Sequence, residues 1–371
     1  AVGASALGNN TTASNNTAFG YSALYANTTG TANVAVGAQS GDALTTGHYN
    51  TMVGHGSLSA DTKGTRSVAI GMQALAAQNF TSETSAYNTA VGFVAGQAVT
   101  TGRKNTLIGG LAGDGLTTAD DNTAMGVSAL GATTTGASNT AVGSSALQNN
   151  TTASNNTAVG YTALLANTTG ASNVAMGHTA LTSNTTGVQN TALGVSALNS
   201  NITGSYNVGV GASGGYYVTG SGNISIGSRN NAGTYAPVND ITSQNNYLSM
   251  GHTAVTNAYV KVAWTVTSDA RDKSNFAEVP HGLSFVNQLA PYSYEFKLDR
   301  EEAETDGIVR YGFKAQDILA LEGSNPVIID NEDPDSLRYR EAALIPVLTK
   351  AIQELSAQVE ALTARIETLE G

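Results

Sequence analysis

The sequence predicts a mainly β protein: a trimeric parallel β-roll, or solenoid, of 17-residue repeats, followed by a small α+β domain and a C-terminal coiled-coil helix. Three observations predict it. A short Asn-Thr-Ala-apolar-Gly motif recurs at a fixed interval, charge is concentrated in the last third, and the final segment spaces its apolar residues alternately by three and four.

The motif reads NTAFG at Asn16–Gly20, NTAVG at Asn139–Gly143 and Asn156–Gly160, and NTALG at Asn190–Gly194. Its closing glycines are Gly3, Gly20, Gly37, Gly54 and Gly71, then Gly92, Gly109, Gly126, Gly143, Gly160, Gly177, Gly194 and Gly211, so eleven of twelve steps are 17 residues long. The step from Gly71 to Gly92 holds four extra residues, and weaker echoes close at Gly227 and Gly251. Such self-similarity marks a stacked repeat, in which one coil cannot bury its own apolar face. After each glycine comes a short segment such as Tyr21–Leu24 or Tyr161–Leu164, then a polar turn such as Asn167–Gly170. Two short strands plus turns are therefore expected per coil. In the first strand, alternation separates Thr and the apolar residue from Asn, Ala and Gly. One face can fill a core, while the small groups of the other permit close approach. Fifteen coils at strand spacing would make a rod on the order of 70 Å long. A roll so rich in Ala and Gly buries little per chain, so three chains are expected to share one core.

Residues 1–263 carry 6 Lys/Arg and 7 Asp/Glu, whereas 264–371 carry 10 and 20. No Lys/Arg cluster suits nucleic acid. There is no cysteine, which excludes disulfides and thiolate metal sites, and no residue pattern calls for a metal or cofactor. No apolar run is long enough to span a membrane. The first residues already read as mid-repeat, so an upstream part is expected. The Asn-x-Thr triplets match a glycosylation acceptor, but a repeat that builds Asn and Thr ladders generates them anyway. His48, His55, His178 and His252 share no ligand spacing and read as surface substituents.

The expected boundaries are a shaft at 1–211, an irregular β tip or connector at 212–263, a mixed domain at 264–342 and a coiled-coil helix at 343–371. The seam consists of Ile345, Leu348, Ile352, Leu355, Val359, Leu362, Ile366 and Leu369. Ile or Val alternating with Leu in this order leans towards two strands in simple parallel coils; the slender shaft argues for three.

The repeats, SVAIG at Ser67–Gly71 among them, resemble the heads of trimeric autotransporter adhesins, which implies left-handed β-rolls packed as trimers. A second series resembles the endosialidase-type intramolecular chaperone, the self-cleaving C-terminal domain of phage tailspikes, fibres and neck appendages. It runs through SDARDK at Ser268–Lys273, GLSFV at Gly282–Val286, Tyr294 before Phe296-Lys297, YGFKAQD at Tyr311–Asp317, and Ala351–Leu355 in the final helix. The resemblance implies a Ser268–Lys273 dyad that cuts the Thr267–Ser268 bond. A hydroxyl needs a base to become nucleophilic, and lysine is a base only when burial or nearby cations favour its neutral form. Arg271 could supply that cation, or pair with Asp269 or Asp272. Folding would have to build the dyad, so cutting would follow correct assembly.

The function implied is the distal part of a homotrimeric phage tail fibre, located in the virion and assembled in the host cytoplasm. It would bind a host-surface glycan or protein receptor and meet other tail proteins through its N-terminal side. Its chemistry would be a single self-cleavage, with no turnover. Receptor contact is expected where the repeat becomes irregular, at Met72–Tyr87, at Gly214–Asn246 with Tyr216 and Tyr217, and near Tyr259 and Trp264; the plainer reading is that these aromatics cap the roll. The alternative is a fragment of a polysaccharide-degrading tailspike with its catalytic domain upstream. That enzyme needs paired carboxylates in a cleft, and the shaft's acids are dispersed. A bacterial surface adhesin would require a C-terminal membrane barrel where this chain has a coil.

Overall fold

The computed structural model describes residues 1–229, 233–238, 241–252, 255, 268–297, 303–332, 334–335 and 337–370. They belong to two compact units, Ala1–Val255 and Thr256–Gly371.

In the first unit nearly every repeat supplies a three-residue strand, and beside the insertion Gly64–Thr65 pairs in addition with Thr84–Ser85. Fourteen three-residue strands, from Thr17–Phe19 to Leu248–Met250, stack in chain order as one parallel sheet. The register advances by 17 residues, as in Thr140↔Thr157. It absorbs the insertion at Val68↔Thr89 and continues beyond residue 211 through Val208↔Ile224 and Ile224↔Leu248. The insertion is held by a polar plug. The Asp61 carboxylate is fully buried and accepts from the backbone N–H groups of Gly64 and Phe80 and from Gln78 Nε2. Gln78 Oε1 in turn accepts from Asn88.

The structure decides which strand face is the inner one. The middle residue, usually Ala, is buried, whereas the flanking Thr and apolar residue lie outside. The small face does both jobs, permitting close approach and lining the core. The rest of the core comes from the segment after the glycine, where Ala23 and Leu24 or Ala163 and Leu164 are fully buried. That segment is not the second strand expected from sequence. It is a run of turns with left-handed residues at alternate positions, such as Ser22 (φ 54°) and Leu24 (φ 50°). It still bonds from coil to coil, through Leu24 N–H to Ser40 O and Gln39 N–H to Tyr21 O. A tight coil must reverse within a few residues, and an extended strand there would carry Leu24 past the axis.

The expected core shared among three chains is likewise replaced by a core closed within one chain, running from Ala18 to Ile241. Ala and Leu suffice because the coil is narrow. Where a larger residue takes the inner strand position, the opposite wall recedes. Met52 lies against Gly41, and Leu107 against Gly96 and Gly113.

In the second unit the short helix α1 (Leu283–Val286), helix α2 (Ala315–Glu322) and the first turns of α3 (Glu341–Glu370) surround a small core. Phe285, Ile318, Ile328, Ile329, Leu344 and Val347 form it. Tyr292–Tyr294 pairs antiparallel with Arg310–Gly312, and Ile329–Asp330 with Arg338–Tyr339. The Glu354 carboxylate of α3 accepts the N–H of Leu283, and Lys350 donates to the Val279 carbonyl, so α3 is fastened to the segment that follows the hexapeptide.

Candidate functional site

The hexapeptide folds as one turn of 3-10 helix, Ala270–Asp272, entered through Asp269 and left in extended conformation at Lys273. Asp269 caps it by accepting the N–H of Arg271 at 2.9 Å, as Asp does at helix starts. This tight turn brings two side chains five residues apart into contact. Lys273 Nζ lies 2.7 Å from Ser268 Oγ, within the range of a nucleophile and its base.

Of the two roles open to Arg271, the structure selects pairing. Its guanidinium bonds Asp269 through Nε and Nη2, the latter at 2.5 Å from Oδ2. That bond, seconded by the Arg271 N–H, holds the Asp269 carboxyl below its usual range. Asp272 makes no such contact among the described residues. Ser268 and Lys273 are both exposed. Arg271 is thus held by Asp269 rather than left as a free cation beside Lys273. Thr267, on the other side of the expected scissile bond, lies outside the described residues, as do Tyr259 and Trp264.

The other motif residues are scaffold rather than chemistry. Tyr311 and Gly312 belong to the antiparallel pair, Phe313 packs on the core, and Lys314 precedes α2 with its ammonium 4.4 Å from the Tyr292 ring centroid. They line a cavity of about 780 Å³ with Tyr292, Tyr294, Leu344 and the seam residues Ile345 and Leu348. Sequence reasoning missed this cavity. Its only signal was the spacing of aromatics through 292–313, which strand alternation explains equally well.

Tyr216 and Tyr217 are brought together with Tyr235. The ring centroids of Tyr216 and Tyr217 are 4.7 Å apart and those of Tyr217 and Tyr235 5.1 Å apart, both pairs edge to face. The rings pack against one another in the edge-to-face arrangement aromatic clusters prefer, yet Tyr217 stays 48% exposed.

Comparison with known families gives one match. The sequence model of the family described as chaperone of endosialidase fits residues 268–323, opening on the serine of the close pair and ending just after α2. No curated protein matches the chain. The chain is thus a mainly β molecule in which a parallel β-solenoid is followed by a small α+β region, whose residues 268–323 match the chaperone-of-endosialidase model, and by a C-terminal helix.

Proposed function

We propose that this chain is the distal part of a homotrimeric phage tail fibre, a virion component for host attachment. Its C-terminal unit aligns three chains and then severs itself between Thr267 and Ser268. The observation that carries this reading is the 2.7 Å Ser268–Lys273 contact at the first residue of the matched segment. Neutral Lys273 takes the Oγ proton as Ser268 Oγ bonds to the Thr267 carbonyl carbon. The Ser268 nitrogen leaves with that proton, and an ester remains. Water hydrolyses the ester, producing the Thr267 carboxylate and restoring the serine hydroxyl.

Assembly supplies what the single chain lacks at this site. The seam of α3 is open along its whole length, with Ile345 62%, Ile352 67% and Ile366 53% exposed. Copies of α3 would cover the seam and fill the cavity beside Ile345 and Leu348. In the rod, the outer apolar strand position is occupied without exception from Phe19 through Val36, Val142 and Val159 to Met250. Three chains seated on these columns would hide a continuous apolar stripe, whereas a specific interface generally covers about 800 Å² per partner. Packing of copies over the 3-10 turn would also desolvate Lys273, which ties cutting to assembly.

Denaturing mass analysis tests the reading. Wild type is expected as two fragments divided at 267/268, and Ser268→Ala and Lys273→Gln as intact chains of 37.6 kDa. Intact wild type recovered from assembled material overturns the self-cleavage.

A further inference from the structure

Just before each Asn of the main ladder, every coil turns a corner through one left-handed residue whose side chain points outward. Over most of the rod this residue is small or polar: Ala32, Ser138, Asn155, Ser172, Gln189. That choice suits a φ near +60°, where bulky side chains crowd the backbone. A lone Tyr206 (φ 61°) departs far along the rod, but four successive coils depart together with Tyr49, Arg66, Tyr87 and Lys104, at φ of 61°, 63°, 52° and 57°. No burial offsets the steric cost, since Tyr49 is 58% and Tyr87 54% exposed.

These side chains stand about 4.8 Å apart, one per coil, and they interact. The Arg66 guanidinium lies 5.4 Å from the Tyr49 ring centroid and 5.9 Å from that of Tyr87. Its Nη1 donates to Ser85 Oγ at 2.6 Å, which steadies it. Nearby Arg103 and Lys104 are paired with Asp120 and Asp121. Arg66 has no carboxylate partner among the described residues. Ala32, next to Tyr49 in the column, is too small to cover that ring. Thr51 separates Tyr49 from the apolar Val53 along the coil, so the corner lies beside the column on which copies would seat.

We infer that Tyr49, Arg66 and Tyr87 form a binding site for a carboxylate-bearing polysaccharide. The guanidinium fork can donate two parallel hydrogen bonds to a carboxylate. Flat tyrosine rings offer apolar faces to the C–H side of a sugar ring and hydroxyls to its polar rim. A linear polymer matches a linear column, and the shaft's near-neutral charge leaves little to repel it. The inference rests on the attachment function proposed above and names its ligand class.

Calorimetric titration with sodium polygalacturonate and sodium alginate, with dextran as the neutral polymer, tests it on the full chain. Wild type is expected to bind a polyuronate and not dextran, more weakly as salt rises from about 50 to 300 mM. Arg66→Gln and Tyr49→Ser are each expected to weaken binding about tenfold or more. Tyr206→Ser, at the same corner far along the rod, should bind as wild type, and melting curves show whether each variant is folded. Failure of wild type to bind either polyuronate, equal binding of dextran, or undiminished binding by folded Arg66→Gln overturns the site. The same preparations are scored for cleavage at 267/268 and for oligomeric mass. Loss of those two with the Arg66 effect retained defeats the fibre reading and leaves the site standing.

Discussion

At the scale of single residues, the asparagines show how a polar sequence makes a dry interior. Asn139 is fully buried; its N–H donates to Asn122 Oδ1 at 3.0 Å and its Nδ2 to Ala153 O at 2.9 Å. Repeating this each coil satisfies donors and acceptors that would otherwise cost roughly 1–3 kcal/mol apiece. A second ladder joins Asn150, Asn167, Asn184 and Asn201. It ends where the next coil places Val218, and there Asn201 Oδ1 is left unpaired. The motif's glycine is just as constrained. A Cβ on Gly143, at φ 133°, would sit 2.4 Å from Gly160 O. Asp42 is another exception to this satisfaction. Burial raises its carboxyl above the ordinary 3.8, only partly opposed by backbone N–H groups of Asp42 and Ala43 and by His55, and its Oδ1 is unpaired. A carboxyl raised by folding contributes stability below its unfolded value and loses it as pH rises through the folded one. Asp42→Asn should therefore melt ~1–2 °C above wild type at neutral pH, a small gain because the group is half-open to solvent. The difference should vanish below the usual carboxylate range, as melting curves across pH would show.

At the scale of elements, the core is filled from one of two positions three residues apart. Coils with a buried Leu first, such as Leu147 or Leu164, follow it with Asn150 or Asn167. Coils with glycine first, Gly41, Gly96 and Gly113, follow it with Leu44, Val99 and Leu116. This exchange is written in the sequence, but it becomes legible only when the turn segment is known to face inward. It predicts coupling. Leu107→Ala should cost about 2–4 kcal/mol through the cavity it leaves. Gly96→Ala, whose Cβ would lie 2.6 Å from Leu107 Cδ1, should destabilise wild type more than it destabilises Leu107→Ala. Denaturant midpoints of the four proteins measure this, and strict additivity would refute the packing argument. In α3, Pro346 lies in the second turn and lacks the N–H that would reach the Ala342 carbonyl. The helix tolerates it because Leu344, Val347 and Ala351 anchor that stretch to the core.

At the scale of the whole molecule, a rod that closes its own core differs from three threads that must share one. Each chain can hold its fold while its outer apolar column still demands cover. If the chain assembles as proposed, replacing both Val142 and Val159 by Asp should convert the proposed trimer to monomer in light scattering, with the β spectrum kept. Loss of the spectrum together with the trimer would mean that the chains depend on one another to fold. The Ser268–Lys273 contact forms within five residues of tight turn and needs no distant partner, while its role was suggested only by the family resemblance. Its exposure was not legible, because solvent access depends on what packs above the turn.

The sequence alone determined the period, the order of coils and the heptad seam of the last helix, since all are local patterns read along one dimension, whereas the Ser268–Lys273 pair was suggested by resemblance to a known family. Tertiary structure alone decided which face of each strand turns inward. Alternation of period two defines two faces without naming the inner one. The narrow bore left by the turn segment admits Ala and usually excludes anything larger, and so sends valine, isoleucine and methionine outside.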